Sequence, residues 1–334
     1  MKVSIKEISK ITGYSPATVS NALNGRRKVS EKAQIEINKV AEMLRSDQEE
    51  RTSRIRFVTY RTNGDILDES HIFPSMIEGA ERRAKALGYE MTYSHLDRES
   101  RAFETNLKNV LDDESSFIIL LGTEMLEDDY EPFKRIRNRI VVLDGWCEDM
   151  CFNGVMINNT DAAYNAVNYL INSGHTKIGY LQGKYRIKAF EYRECGYERA
   201  LGRKNIPIIA GHIVTLGTRL ESAYEDMRRY LDTIDDLPTA FFADNDIIAI
   251  GALRAIAERG MRIPEDISVV GFDDIFYSKT AVPGLTTVRV NQKEMGEEAV
   301  LKIVEESKQD SDIVQKTQIW TELVERGSVK KIRQ

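Results

Sequence analysis

Asn21 is the side chain best suited to reading a base, because a carboxamide sets a donor beside an acceptor, the pair that adenine offers in the major groove. It stands in the run Ser15-Pro-Ala-Thr-Val-Ser-Asn-Ala-Leu-Asn24. Behind the cap Ser15, Pro16, Ala17 and Ser20 face outward with Asn21 near a helix start, where base edges come within reach, and Thr18 or Ser20 can meet phosphate or base. Asn24, Arg26 and Arg27 follow in a basic turn, Asn24-Gly-Arg-Arg-Lys28, suited to phosphate. An ordinary solvated asparagine is the competing reading of Asn21.

A second polar set sits directly behind apolar runs. Asp144 follows Ile140-Val-Val-Leu143, Asn158 follows Val155-Met-Ile157, Asn245 follows Phe241-Phe-Ala-Asp244, and Asp273 follows Val269-Val-Gly-Phe272. Carboxylates and carboxamides, joined by an arginine and aromatic faces, are the groups that bind the vicinal hydroxyls of a sugar. Taken singly, each is equally well explained as a turn former or cap.

The elements that must carry these residues can be read from spacing. Ser4-Ile5-Lys6-Glu7 reads as a capping box opening a helix with apolar positions Ile5, Ile8 and Ile11. Gly13 supplies a turn, and Ser15-Pro16 restarts a short helix from Pro16 to Leu23 with Val19, Ala22 and Leu23 inward. Two short helices about a glycine turn form a helix-turn-helix, whose second helix enters the major groove. Ser30 caps a third helix to about Leu44, with Ala33, Ile37, Val40, Ala41 and Leu44 as its buried stripe.

From Ile55 short apolar runs alternate with helical patterns, the signature of parallel α/β layering. Strands are expected at Ile55 to Tyr60, Glu90 to Ser94, Phe117 to Leu121, Ile140 to Leu143, Lys177 to Leu181, Ile213 to Leu216, Ala240 to Ala243 and Ser268 to Phe272. Helices are expected at Met76 to Leu87, Ala162 to Ser173 and Ile247 to Arg259. The halves ending near Asn158 and starting near Asp161 each hold enough units for one doubly wound sheet, which implies two lobes and a cleft. Ligands of such sheets sit beyond the carboxyl ends of strands, where the polar set lies.

Charge is divided along the chain. The first 56 residues carry 12 Lys/Arg against 7 Asp/Glu, while the 334 residues together have net charge −6, so a head of +5 precedes a body of −11. A phosphate-binding unit on a body that does not bind DNA has this profile. The opening residues hold no apolar run of signal-peptide length and no later run is long enough to span a bilayer, so the expectation is a cytoplasmic protein with no membrane partner. Cys147, Cys151 and Cys195 cannot all pair and lack a second Cys/His cluster, so they read as structural thiols, with no metal site or cofactor expected. His175 reads as structural and Trp146 as core. No nucleotide-binding glycine motif, nucleophile elbow or metal-spaced histidine set marks an enzyme.

The residues Ile5-Lys-Glu-Ile, Gly13, Ser15 to Gly25 and Val29-Ser30 resemble the head of the lactose/galactose repressor family. The resemblance continues through Ser173-Gly-His-Thr-Lys-Ile-Gly-Tyr180, Arg193-x-x-Gly-Tyr197, Pro238-Thr-Ala, Asn245-Asp246 and Pro264 to Asp274. It implies a three-helix helix-turn-helix head (1–45), a linker (46–54) and a two-lobed periplasmic-binding-protein-like effector domain (55–334). Function would be that of a repressor: a homodimer bound to palindromic double-stranded operator DNA and controlled by a small effector of the sugar type. Ser4, Ser15, Pro16, Ala17, Thr18, Ser20, Asn21, Asn24, Arg26 and Arg27 would face DNA. Phe73 would stack on the effector, Arg193 would donate a bidentate fork, and Asp144, Asn245 and Asp273 would bind hydroxyls, with Asn158 and Phe190 beside them.

Two departures qualify that picture. Asn21 stands where the family usually carries Arg, so the operator sequence should differ. The family's Tyr-x-Pro-Asn segment and hinge helix, whose leucine wedges into the minor groove, have no counterpart in Arg45-Ser-Asp-Gln-Glu-Glu-Arg-Thr-Ser-Arg54. With no apolar wedge, minor-groove kinking should be weak or absent. The alternative function is a family member with weakened DNA binding that acts mainly as a cytoplasmic sugar sensor.

Overall fold

A computed structural model of the chain describes residues 5–25, 29–51, 54–69, 73–308 and 313–332, and the side chains of 45–51 and 308 fall outside that description. The head comprises α1 (Ile5–Thr12), α2 (Pro16–Asn24) and α3 (Glu31–Arg51). Ile8, Val19, Ala22, Ala33, Ile37 and Ala41 close its core. Ile11, expected on the apolar face, is 53% exposed. Successive steps of three residues each fall about 60° short of a full helical turn, so Ile11 has rotated off the face that Ile5 begins. Ser15 caps α2 by accepting the Thr18 N–H at 3.2 Å, and Gly13 and Gly25 take the positive φ of 74° and 65° that end α1 and α2.

The third helix runs beyond its expected end. Residues 46–51, from the stretch read as linker, continue α3 to Arg51, and the first strand begins at Arg54. No glycine or proline interrupts this segment, so nothing in the local sequence stops the helix.

The first lobe is a six-stranded sheet of β1 (Arg54–Arg61), β2 (Glu90–Asp97), β3 (Phe117–Leu121), β4 (Ile140–Leu143), β5 (Asn153–Ile157) and β11 (Lys316–Ile319). Its order is β11-β5-β4-β3-β1-β2, with every pairing parallel. In the second lobe β6 (Ile178–Gly183), β7 (Ile213–Leu216), β8 (Ala240–Ala243) and β9 (Ser268–Val270) pair in parallel in the order β7-β6-β8-β9. Beside β9, β10 (Thr287–Val290) pairs antiparallel with β12 (Thr321–Val324). The last expected strand stops short of Phe272 because the Phe272 carbonyl turns to accept the Asp246 N–H at 2.8 Å.

Helices α4 (Phe73–Ala86) and α5 (Phe103–Leu111) belong to the first lobe, and α6 (Asn159–Asn172), α7 (Lys188–Arg203), α8 (Leu220–Thr233), α9 (Asp246–Glu258) and α10 (Phe276–Thr280) to the second. Helix α11 (Gln292–Lys308) returns to the first lobe and crosses α4 at close range. Gly79 and Gly296 permit that crossing, since a Cβ on either would collide with the carbonyl oxygen of Lys293 or Met76. The chain therefore passes between lobes three times, from β5 to α6, from β10 to α11, and from β11 to β12.

Candidate functional site

The cleft between the lobes is lined from the first by Thr123, Asp144, Gly145, Trp146 and Gln318, and from the second by Asn159, Lys188, Ala189 and Tyr192. Asp144 ends β4 with a positive φ of 52°, and Thr123 donates its hydroxyl to Asp144 Oδ2 at 2.7 Å. Burial raises the Asp144 pKa, against the opposing pull of the Thr123 hydrogen bond and the Arg193 charge.

Arg193 rises from α7 and is 6% exposed. Its Nε donates to Asn159 Oδ1 at 2.9 Å, and its Nη1 donates to the Asp244 carbonyl. Its guanidinium carbon lies 3.6 Å from the Phe272 ring centroid and 5.6 Å from that of Phe190, so two aromatic faces and two acceptors fix the fork. The third direction of the fork points at Asp273, with Nη2 3.3 Å from Oδ1. That contact is an ion pair without hydrogen-bond alignment, and Asp273 Oδ1 is left with no hydrogen-bond partner. Burial lifts Asp273 to about 7, with Arg193 opposing the rise and Asp246 and Asp144 adding to it. A buried, unsatisfied carboxylate oxygen beside a held guanidinium is equipped to take a hydroxyl.

Two further carboxylates hold this floor from below. Asp246 accepts from the Ser278 and Thr287 hydroxyls, both at 2.6 Å, and from the Ile275 N–H at 3.1 Å. Asp244 accepts from the Tyr180 hydroxyl, the Gly183 N–H and Arg186. Burial pushes each to about 6. In the first lobe the fully buried Glu124 accepts five backbone N–H groups, from Thr62, Asn63, Gly64, Ile66 and Leu67, and so shapes the loop after β1.

The residues expected to touch effector do not form one ring. Asp144 and Asn158 line the cleft, while Arg193 and Asp273 pair beneath it, linked to the wall through Asn159. Phe190 is buried under Arg193, and Phe73 is buried in the main core at the start of α4. Asn158 and Asn245 both serve as N-caps, accepting the Asp161 N–H at 3.0 Å and the Ile248 N–H at 2.9 Å. Asn158 further donates to Asp161 Oδ2, which commits both ends of its amide.

The aromatic faces of the cleft are Trp146 and Tyr192, set edge to face with centroids 5.9 Å apart. This corrects the reading of Trp146 as core: it is half-buried, facing Tyr192 across the lobes with Lys316 Nζ 4.1 Å from its ring centroid. His175 is structural as expected, its buried ring held by the Thr239 hydroxyl and the Lys330 carbonyl, with burial lowering its pKa. Across the cleft mouth Arg219 meets Asp65 at 3.2 Å, Asp68 at 3.5 Å and Glu69 at 3.7 Å, and Lys188 meets Glu148 at 2.7 Å.

In the head, Ser15, Pro16, Ala17 and Asn24 are exposed and Thr18, Ser20 and Asn21 partly so, all on α2 or its cap. The Asn21 amide has no hydrogen-bond partner among the described residues, whereas Asn24 donates to the Ser20 carbonyl at 2.9 Å and so serves the helix end. Ser4, Arg26 and Arg27 lie outside the described residues.

Comparison with known proteins adds independent lines. Residues 167–329 match the periplasmic binding protein-like domain. The HTH-type transcriptional repressor PurR of Mannheimia succiniciproducens is 28% identical over 332 residues, covering 98% of this chain and 99% of that protein. The structure of the transcriptional regulator CelR in complex with cellobiose superposes with a TM-score of 0.74 at 23% identity, covering 98% of this chain and 99% of that one. The lac repressor dimer bound to operator and the anti-inducer ONPF gives 0.72 at 24% identity, covering 99% and 100%. Over nearly its whole length the chain is similar to HTH-type transcriptional repressors, and from its head through both lobes it shares the fold of the lac repressor.

Proposed function

We propose that this chain is a cytoplasmic homodimeric repressor whose two heads read a palindromic operator and whose cleft takes a sugar. The observation that carries the sugar reading is the Asp273 oxygen without a hydrogen-bond partner beside the fixed Arg193 fork, under a cleft with Asp144 on one wall and Trp146 and Tyr192 as aromatic faces. Hydroxyls fit the carboxylates and the fork, and the apolar face of a sugar ring fits an aromatic wall. CelR, solved with cellobiose, shares this fold.

In the head, Ser15, Pro16, Ala17, Thr18, Ser20 and Asn21 present to the major groove, with Asn21 as base reader and Arg26, Arg27 and Ser4 toward the backbone. Effector binding shifts the population of closed lobes and thereby the separation of the heads. A panel of mono- and disaccharides screened by thermal shift, followed by operator binding with and without each hit, tests the whole reading. A sugar that raises the melting temperature and changes operator affinity supports it. Stabilisation by flat heteroaromatic compounds alone would overturn the sugar assignment, and failure to retard promoter DNA at low salt would favour a sensor with a weakened head.

A further inference from the structure

The loop that leaves β4 carries a group of side chains that the effector cleft does not use. Cys147 is buried and Cys151 half-buried, with Sγ atoms 3.7 Å apart. Cys147 Sγ lies 3.5 Å from Glu127 Oε1. The ligand atoms of Glu127, Cys147 and Asp149 all lie within 4.8 Å of one another. In sequence the two cysteines looked too few for a metal site, but the fold brings carboxylates from two segments to them.

Two of these separations match the edges of a tetrahedral ion. Bond lengths of about 2.3 Å to sulfur and about 2.0–2.2 Å to carboxylate oxygen give tetrahedral edges of about 3.8 Å between two sulfurs and about 3.5–3.6 Å between sulfur and oxygen. The observed 3.7 and 3.5 Å agree with these two edges, both at Cys147, and Cys151 Sγ has to swing toward Glu127 and Asp149 to complete the set. Glu127 is already oriented, since both of its oxygens accept the Glu148 N–H, at 3.1 and 3.0 Å. Lys134 holds Asp149 in the same way that outer partners fix metal-binding carboxylates. Lys316, whose Nζ donates to the Cys147 carbonyl at 3.0 Å, adds a positive charge near the sulfurs. Two thiolates and two carboxylates against a divalent ion and the two ammonium groups of Lys134 and Lys316 come roughly to charge balance.

We propose that Cys147, Cys151, Glu127 and Asp149 form a binding site for a thiophilic divalent cation of the zinc class. Both thiols lose their protons to solvent on binding, and the ion takes the two sulfurs and two carboxylate oxygens as its four ligands. Trp146, next to Cys147, lines the effector cleft, so loading the site fixes one wall of that cleft.

The test uses the full chain carrying Cys195→Ser, which removes the exposed third thiol. After treatment with chelator and reductant it is titrated with cadmium(II), whose thiolate charge-transfer absorption reports sulfur ligation, and then with zinc(II) against a chromophoric chelator. The expected result is absorption that saturates at one ion per chain, with a change in tryptophan fluorescence. C147S and C151S should each abolish the band, and E127Q should weaken binding by ~10–100-fold. Because burial could make C147S misfold, the half-buried C151S and the carboxylate variant are read alongside it, each with its circular dichroism and melting temperature. No band at stoichiometric cadmium, or a band that survives in folded C151S, would overturn the proposal.

Discussion

Arg193 touches two acceptors, one anion and two aromatic rings, and only a planar fork can satisfy that set together. Arg193→Lys keeps the charge and loses the fork, and should weaken sugar binding by about 2–3 kcal/mol, measured by calorimetry with the hit of the thermal-shift panel. Asp273 yields a pH prediction. Its pKa of about 7 in the folded chain exceeds the usual carboxylate range, so the native state binds the proton more tightly than the unfolded chain. Stability without effector should therefore decline as pH rises from the carboxylate range through 7, and Asp273→Asn, neutral throughout, should remove that part of the decline. Melting curves of both proteins between about pH 5 and about pH 8 check it, and identical pH dependences would contradict it. In the head, Asn21→Ala should change base preference, whereas Arg26→Ala or Arg27→Ala should weaken all sequences alike and reduce the salt slope by about 1. The places of Asp144 and Asp273 behind strands are legible in the sequence because a polar residue behind an apolar run marks a strand end. Thr123, Trp146, Lys188 and Tyr192 carried no such mark, since their importance arises only where two lobes meet.

The same contrast holds for elements. Strands β3, β4 and β8 begin and end where their apolar runs do, because strands buried on both faces are apolar without interruption. Strands β11 and β12, Lys316–Ile319 and Thr321–Val324, are short, half-polar and paired with segments far away in sequence, so nothing local announces them. Helix α3 shows the opposite failure, since Gln48, Glu49 and Glu50, read as linker, are good helix formers. Its run to Arg51 makes it a stiff connection toward the body. Gln48→Pro should break it at a cost of about 3 kcal/mol to the helix, leaving sugar binding intact while operator affinity no longer responds to sugar. Operator titrations with and without sugar read this out, and a preserved response would show that the coupling does not need the helix. Between the lobes, Arg219 with Asp65, Asp68 and Glu69 forms a half-exposed ion-pair group. Arg219→Ala should change stability by less than about 1 kcal/mol and speed effector dissociation severalfold, as stopped-flow fluorescence of Trp146 would show.

For the whole molecule, one segment of the second lobe leaves two apolar side chains open, with Phe276 67% and Val282 96% exposed. This segment is where the proposed homodimer would pair, since a two-fold contact there suits two heads on one operator. Val282→Asp should yield monomers in sedimentation velocity and lower operator affinity, while each chain keeps its sugar site. The three passages of the chain between lobes bear also on how the protein is made. The first lobe's sheet has β11 at its edge, and its α4 packs on α11, so the lobe begun at Arg54 cannot close until residues up to Ile319 have left the ribosome. The second lobe waits longer still for β12. Among the described residues the head closes its core within the opening stretch of the chain, so during synthesis the proposed DNA reader is finished first and the part that regulates it arrives last.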